Sequence, residues 1–184
     1  NILLHKLKTR RRFSKDCDMY FANNWKSLNS DVSIYETHEI NDDSVVEKIR
    51  DIQPDIVLVH GTSLLKAITI KNVPLVLNLH GGLSPYYRGS YCTEWALLNN
   101  DPENIGYTIH KLSAKIDGGE ILTQGRVPVV FDDTVNRINM KLIKDGTQDV
   151  IRVLTNLMDE KQPEFQRQEP SDGFLYLTKH WNCD

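Results

Sequence analysis

The chain has 184 residues, a formal net charge of −3 and a pI near 6.1. That length suits a single domain, 1–184, with a sizeable core, and the slightly acidic balance supplies no global basic field for nucleic acid. Three widely spaced cysteines (Cys17, Cys92 and Cys183) form no CxxC and fit free thiols in a reducing cytoplasm, while no apolar run approaches the ~18–20 residues of a membrane span and no signal peptide is visible.

The opening segment, NILLHKLKTRRRF, is apolar and then basic, and its charge run reads as a solvated helix face. Because the chain starts at Asn1, an N-terminal strand and helix are expected to be missing. VSIYETHEI, residues 32–40, predicts a strand. Asn41 to Ser44 offer helix N-caps, and VVEKIRDI predicts a helix broken by Pro54. DIVLVHG, 55–61, is a short apolar run that predicts a strand buried on both faces. A helix over 64–68 and a second buried strand, VPLVLNLH at 73–80, follow. This alternation points to βαβ units and a parallel sheet.

TEWALLNN, 93–100, predicts a helix closed by an Asn-Asn-Asp-Pro turn. IGYTIHKL, 105–112, and EILTQGRVPVV, 120–130, predict two strands. They must be antiparallel, since SAKIDGG is too short for a crossover. From 133 to about 160, Val135, Ile138, Leu142, Val150, Val153, Leu154, Leu157 and Met158 make a helical stripe, with an interruption expected at Gly146. FLYLTKHW is expected to pack or pair as a short last element.

The 73–80 strand carries the chemistry. Asn78 and His80 are two apart, so their side chains share one face of the strand end. Gly81 and Gly82 leave backbone room for a ligand to approach. In an open parallel sheet, ligands sit beyond the carboxyl ends of the strands. An amide N–H there can stabilise developing negative charge on a carbonyl oxygen, and an imidazole can hold or deliver a proton. Asp117 lies in the turn between the antiparallel strands, followed by Gly118 and Gly119, which permit positive φ. Its carboxylate could orient the imidazole and favour its protonated form. The two positions are 37 residues apart, and spacing alone does not bring them together. His110, at a strand end, reads as structural. The histidines show no metal-ligand spacing, so no metal is expected.

LNLHGGLSPYYRG, then IGYTIHKLSAKIDGGEILTQGRVPV, resembles the folate-dependent formyltransferase family over about residues 45–158. The matching text is N-x-H with a proline downstream, then a strand ending in histidine and D-x-G-x-I-L. The resemblance implies an α/β, Rossmann-like formyltransferase fold: a mostly parallel twisted sheet, helices on both faces and an antiparallel edge. It implies Asn78, His80 and Asp117 as the catalytic trio. It also implies transfer of a formyl group from 10-formyltetrahydrofolate to a primary amine, with Asn78 donating to the formyl oxygen, His80 acting as imidazolium, and Asp117 positioning a proton-shuttling water. For the pterin it points to Leu64, Leu65, Ser113, Ala114, Lys115 and Ile116. Tyr86, Tyr87 and Arg88 are expected to grip the acceptor, by stacking and by an ion pair to phosphate.

Three family branches compete for the acceptor. Methionyl-tRNA formyltransferases carry a further C-terminal domain, and here about 25 residues follow the last long helix, so no nucleic acid partner is expected. Glycinamide ribonucleotide formyltransferases share the Asp117–Gly119 and Gln124–Val129 text, but their N-terminal glycine-rich loop has no counterpart in residues 1–13. PYYRG and LTKHW favour enzymes that formylate a nucleotide-linked amino sugar. An inactive folate-binding or assembly module is the reading from another class; a homodimer is left open.

Overall fold

Acidic and basic residues stand at opposite ends of one short helical segment, Asp43–Ile52. The computed structural model describes residues 19–20, 33–71, 73–169 and 173–181. Helix α1, Asp43–Ile52, has Asp43 in its first turn and Arg50 in its last, the signs that complement the helix dipole. It stops at Gln53, in the left-handed region at φ 50°, just before Pro54.

The chain divides into two units. The first takes Asn1–Asp55 and Thr62–Pro74, and the second Ile56–Gly61 and Leu75–Asp184. In the first unit the strand expected over 32–40 does not form within 33–40. Ile34 is 64% and Tyr35 53% exposed, so the alternation has nothing to bury against. The helix expected over 64–68 forms later, as α2, Ala67–Ile70. Asn41 explains the delay. Its amide donates to the Leu64 carbonyl at 2.9 Å, and its oxygen accepts from the Lys66 N–H at 2.7 Å and from the Thr69 hydroxyl at 2.9 Å. Those bonds keep Lys66 extended, at φ −74° and ψ 148°. The basic run at 6–12 lies outside the described residues.

The second unit contains, in chain order, β1 Ile56–Val59, β2 Leu75–His80, β3 Tyr87–Gly89, α3 Cys92–Leu98, β4 Gly106–Lys111, β5 Ile121–Arg126, α4 Val135–Met158 and β6 Phe174–Tyr176. Single 3₁₀ turns cover Pro102–Asn104 and Thr178–His180. The main sheet has the order β1-β2-β4-β5. β1 and β2 are parallel; β4 is antiparallel to β2, and antiparallel to β5 as their short connection required. β3 and β6 make a separate parallel pair. Among the described residues no helix is long and apolar enough to cross a membrane.

The core lies on one face of this sheet. Leu77 and Leu79 of β2 join Tyr107 and Ile109 of β4 and Ile138, Leu142 and Val150 of α4, and Ile109 is fully buried. Burial of each such side chain contributes roughly 1.5–3 kcal/mol. Helix α4 runs through Gly146 without the expected interruption. A Cβ there would lie 2.7 Å from Leu79 Cδ1, so the glycine serves close packing of helix on sheet rather than a break. Thr134 caps the helix, its hydroxyl accepting from the Arg137 N–H at 3.3 Å.

Candidate active site

Strand alternation sends Leu77 and Leu79 into the core, so Asn78 and His80 point to the opposite face. Strand pairing then adds a residue to the same face. Asn78 stands opposite His110 of β4, and His80 opposite Thr108. After β2 the chain is fastened to β4. The Ser84 N–H donates to the Thr108 hydroxyl at 2.9 Å, and that hydroxyl donates to the Gly82 carbonyl at 2.7 Å. The room expected at Gly82 is filled by the protein itself, because a Cβ there would strike His80 Nε2, with Cys92 Sγ at 2.8 Å. Gly81 has open space around it.

Gly89 ends β3 at φ 94°, and a side chain on it would collide with the Tyr176 carbonyl of β6. Only glycine fits, and its N–H thereby points at Asp117 Oδ2, 2.8 Å away. In the β4–β5 connection the left-handed residue is Asp117 itself, at φ 46°, not the glycines that follow. Gly119 instead passes against the Lys111 carbonyl, where no side chain would fit. The Asp117 carbonyl accepts from the Ser84 hydroxyl at 3.2 Å and from Gln168 Nε2 at 2.8 Å. These bonds hold the conformation in place.

Three polar side chains and one backbone N–H thus meet at the Asp117 carboxylate, which is 11% exposed. Asn78 Nδ2 donates to Oδ1 at 3.0 Å, and His110 Nε2 is 3.3 Å from the same oxygen. Oδ2 takes the Gly89 N–H and faces His80 Nδ1 at 3.4 Å. Burial works against ionisation of Asp117, but the His110 hydrogen bond and the Gly89 N–H outweigh it and hold the carboxyl below its ordinary range. For His80 the balance goes the other way. Burial is the largest influence and lowers its pKa, and the opposing attraction of Asp117 does not make that up. The imidazolium expected from the D-G-G carboxylate is therefore not the resting form; His80 is neutral at pH 7.

The partners fix the tautomer. His80 Nε2 lies 3.1 Å from the Tyr87 carbonyl, which can only accept, so Nε2 carries the hydrogen. Neutral Nδ1 then turns a lone pair toward an ionised oxygen. Two acceptors face each other with no proton between them, which makes the pair a place to receive one. Cys92 Sγ, 3.6 Å from His80 Nε2, has its thiol pKa pushed up by burial and is no nucleophile.

The other sequence candidates are scattered more widely. Ser113, Ala114 and Lys115 are exposed and Ile116 half-buried, with the Ser113 hydroxyl bonded to both the Lys115 N–H and its carbonyl. Leu64, 70% exposed, and half-buried Leu65 belong to the first unit. Tyr86 is exposed. Tyr87 is 5% exposed, stacks on Tyr176 and donates to Asp101 Oδ2 at 2.7 Å, so it is a core side chain. Arg88 is half-buried; its Nε is buried without a partner, and Nη1 lies 3.6 Å from where a Gly118 Cβ would be. Gln168 Oε1 is likewise buried and unpaired. Sequence reasoning gave His110 a structural role and gave Gly89 and Gln168 none. His110 had one signal, its place at the end of an alternating strand. Gly89 acts through its backbone N–H and Gln168 through a side-chain amide that donates to the Asp117 and Gly119 carbonyls, and neither leaves a motif.

The formyl transferase family model matches residues 7–154. Methionyl-tRNA formyltransferase from Bacteroides fragilis is 28% identical over 145 residues, which cover 78% of this chain and 44% of that protein. The chain thus spans less than half the length of the curated relatives it matches. Among solved structures, a likely sugar N-formyltransferase from Mycobacterium tuberculosis aligns with a TM-score of 0.64 at 19% identity, covering 94% of this chain and 72% of that one. The formyltransferase PseJ from Anoxybacillus kamchatkensis, solved with UDP-4,6-dideoxy-4-formamido-L-AltNAc and tetrahydrofolate, aligns with a TM-score of 0.60 at 18% identity, covering 96% and 84%.

Proposed function

This chain belongs to the formyl transferase family, and we propose that it transfers a formyl group from 10-formyltetrahydrofolate to the amino group of a nucleotide-linked sugar. The observation that carries the reading is the convergence of Asn78, His80 and Asp117 at the carboxyl end of β2. The acceptor class draws support from the PseJ complex with a UDP-linked formamido sugar.

10-Formyltetrahydrofolate, when bound, supplies the formyl group. Ser113 to Ile116, in the second unit, are the residues we assign to its pterin. The unpaired Gln168 Oε1 gives acceptor capacity beside the Asp117 loop, which fits a ring with several N–H donors. Tyr86 and Arg88 are assigned to the acceptor's base or sugar and its phosphate. Tyr87 supports them from the core.

Asn78 directs an amide N–H to the formyl oxygen as negative charge gathers there. The His80–Asp117 pair takes the proton that the attacking amine must lose, into the gap between Nδ1 and Oδ2. The same pair then returns it to the departing nitrogen, so the protein ends in its starting protonation state.

The test supplies the full chain with 10-formyltetrahydrofolate and a panel of UDP- and dTDP-linked amino sugars. Tetrahydrofolate release is followed by absorbance and the formamide product by mass spectrometry. Release that depends on the amino sugar and disappears in His80→Ala supports the reading. Folate binding with no release for any amine leaves a binding module instead. Formylation of methionyl-tRNA in preference to the sugars would move the acceptor to that branch, which the Bacteroides relative favours.

A further inference from the structure

We propose that Gln168, in the segment after α4, is a positioning residue for formyl transfer: its side-chain amide holds the turn that aims the Asp117 carboxylate at His80. The inference rests on the formyl-transfer reading for its catalytic consequence, but not for its structural basis.

Gln168 lies past residue 154, where the family match ends. Strand pairing brings it to the site. β5 is an edge of the main sheet, and its first residue bonds the segment after α4. The Ile121 N–H donates to the Gln166 carbonyl at 2.7 Å, and the Gln166 N–H donates to the Ile121 carbonyl at 2.8 Å. Phe165 packs against the core, with Lys111 Nζ 5.8 Å from its ring centroid. The segment is therefore anchored by contacts in which the Gln168 side chain takes no part.

Two acceptors orient the amide. Gln168 Nε2 lies 2.8 Å from the Asp117 carbonyl and 2.7 Å from the Gly119 carbonyl. Both oxygens can only accept, so the nitrogen faces them and gives one hydrogen to each. Oε1 has no partner in the protein that would turn the amide round. The two bonds straddle Gly118 and fix both ends of the turn. Asp117 needs that support, since its φ of 46° is a region that residues other than glycine rarely adopt. Its carbonyl has a second donor in the Ser84 hydroxyl, which is longer at 3.2 Å.

The aim of the carboxylate follows from the backbone. Oδ1 meets Asn78 and His110, and Oδ2 meets the Gly89 N–H and His80. A return of Asp117 to negative φ would swing its Cβ and break these contacts together. Gly89 is itself pressed against Tyr176 of β6. Residues past α4 thus hold Asp117 in two ways, its main chain through Gln168 and its Oδ2 through Gly89. A misplacement of about 1 Å at a reacting group can cost on the order of 100-fold in rate.

Two measurements on the full chain test this. The first needs no turnover. In Gln168→Met, which keeps the length of the side chain and removes both donors, the Gly89 amide proton should move upfield toward its position in Asp117→Ala. The second is kinetic, at saturating 10-formyltetrahydrofolate. Gln168→Met should lower kcat about 30-fold, with KM for the amino sugar changed less than about threefold. Gln168→Asn, which withdraws the amide by one methylene, should show both effects in smaller measure, and it decides the matter if Gln168→Met does not fold. Arg167→Ala is the control on the same segment. Its side chain is 88% exposed and 3.8 Å from Glu120, so its loss should leave kcat within about twofold. An unchanged kcat, a kcat loss without movement of the Gly89 amide, or a loss confined to KM for the folate would overturn the proposal. If the wild type turns over no amine, the formyl-transfer reading fails, while the Gly89 amide still decides whether Gln168 orients Asp117.

Discussion

Two aspartates in the second unit hold their carboxyls below the ordinary range, and they do so with opposite kinds of partner. Asp133, just ahead of α4, is paired with the Lys141 ammonium and accepts the Val130 N–H at 2.9 Å; burial opposes its ionisation and these partners overcome it. Among the described residues no lysine or arginine pairs with Asp117. It is met by an amide, a backbone N–H and two histidines. A permanent cation neutralises a carboxylate once and for all, leaving nothing for a proton to do. Neutral donors and basic rings leave the carboxylate charged and the neighbouring lone pairs open, so protons can come and go at little cost. The first arrangement suits anchoring a helix and the second suits acid–base chemistry.

The sharpest way to break this contrast is to neutralise each carboxylate with its isosteric amide. Asp117→Asn should lower kcat about 1,000-fold in the tetrahydrofolate-release assay, since the proton-receiving pair is gone. Asp133→Asn should leave kcat within twofold. Equal effects on kcat would dissolve the distinction. The next largest effect concerns the donor: Asn78→Ala should cost about 100-fold in kcat, the scale of losing one donor to a developing oxyanion.

Acid stability sharpens the comparison further. His80 has a lowered pKa in the folded protein, so between its ordinary value of 6.5 and the folded value the unfolded chain binds more protons. Stability is complete above that ordinary value and is lost as pH falls through the window. The melting temperature should therefore begin to drop just below pH 6.5, and His80→Gln should flatten the drop. A wild-type curve that is flat from pH 7 to 5 would refute the neutral, buried assignment. Asp117 and Asp133, also lowered, lose their contributions only below their ordinary 3.8. The smallest effect belongs to the anchoring site. Asp133→Asn at neutral pH weakens one charge-assisted contact, and should lower the melting temperature by about 2–4 °C, measured by differential scanning calorimetry.

The contrast also explains what could be read along the chain. The strand from Leu75 to His80 was legible because a continuous apolar run needs only its neighbours to declare it. The shared face of Asn78 and His80 follows from the two-residue period of any strand. The antiparallel β4–β5 pair followed from a connection too short for anything else. The strand expected over 32–40 failed because alternation signals a strand only where a face is buried. The shift of α2 came from Asn41, a residue read as a helix cap, whose amide instead binds backbone more than twenty residues away. Gly146 was read for its conformational freedom when its small size was what mattered.

Local pattern by itself determined the α/β class, the β2 strand, the pairing of β4 with β5, and the presence of an amide and an imidazole at one strand end. It could do so because each depends on periodicity or chain length within about a dozen residues. The tertiary structure alone decided that Asp117 arrives beside them, that His110 stands opposite Asn78, and that Gly89 lends its N–H. Those outcomes depend on strand register and on one glycine meeting β6, contacts between segments separated by up to 87 positions in the chain (Gly89 to Tyr176). The lowered pKa of His80 has the same origin, because desolvation is a property of everything packed around the ring, not of its neighbours in sequence.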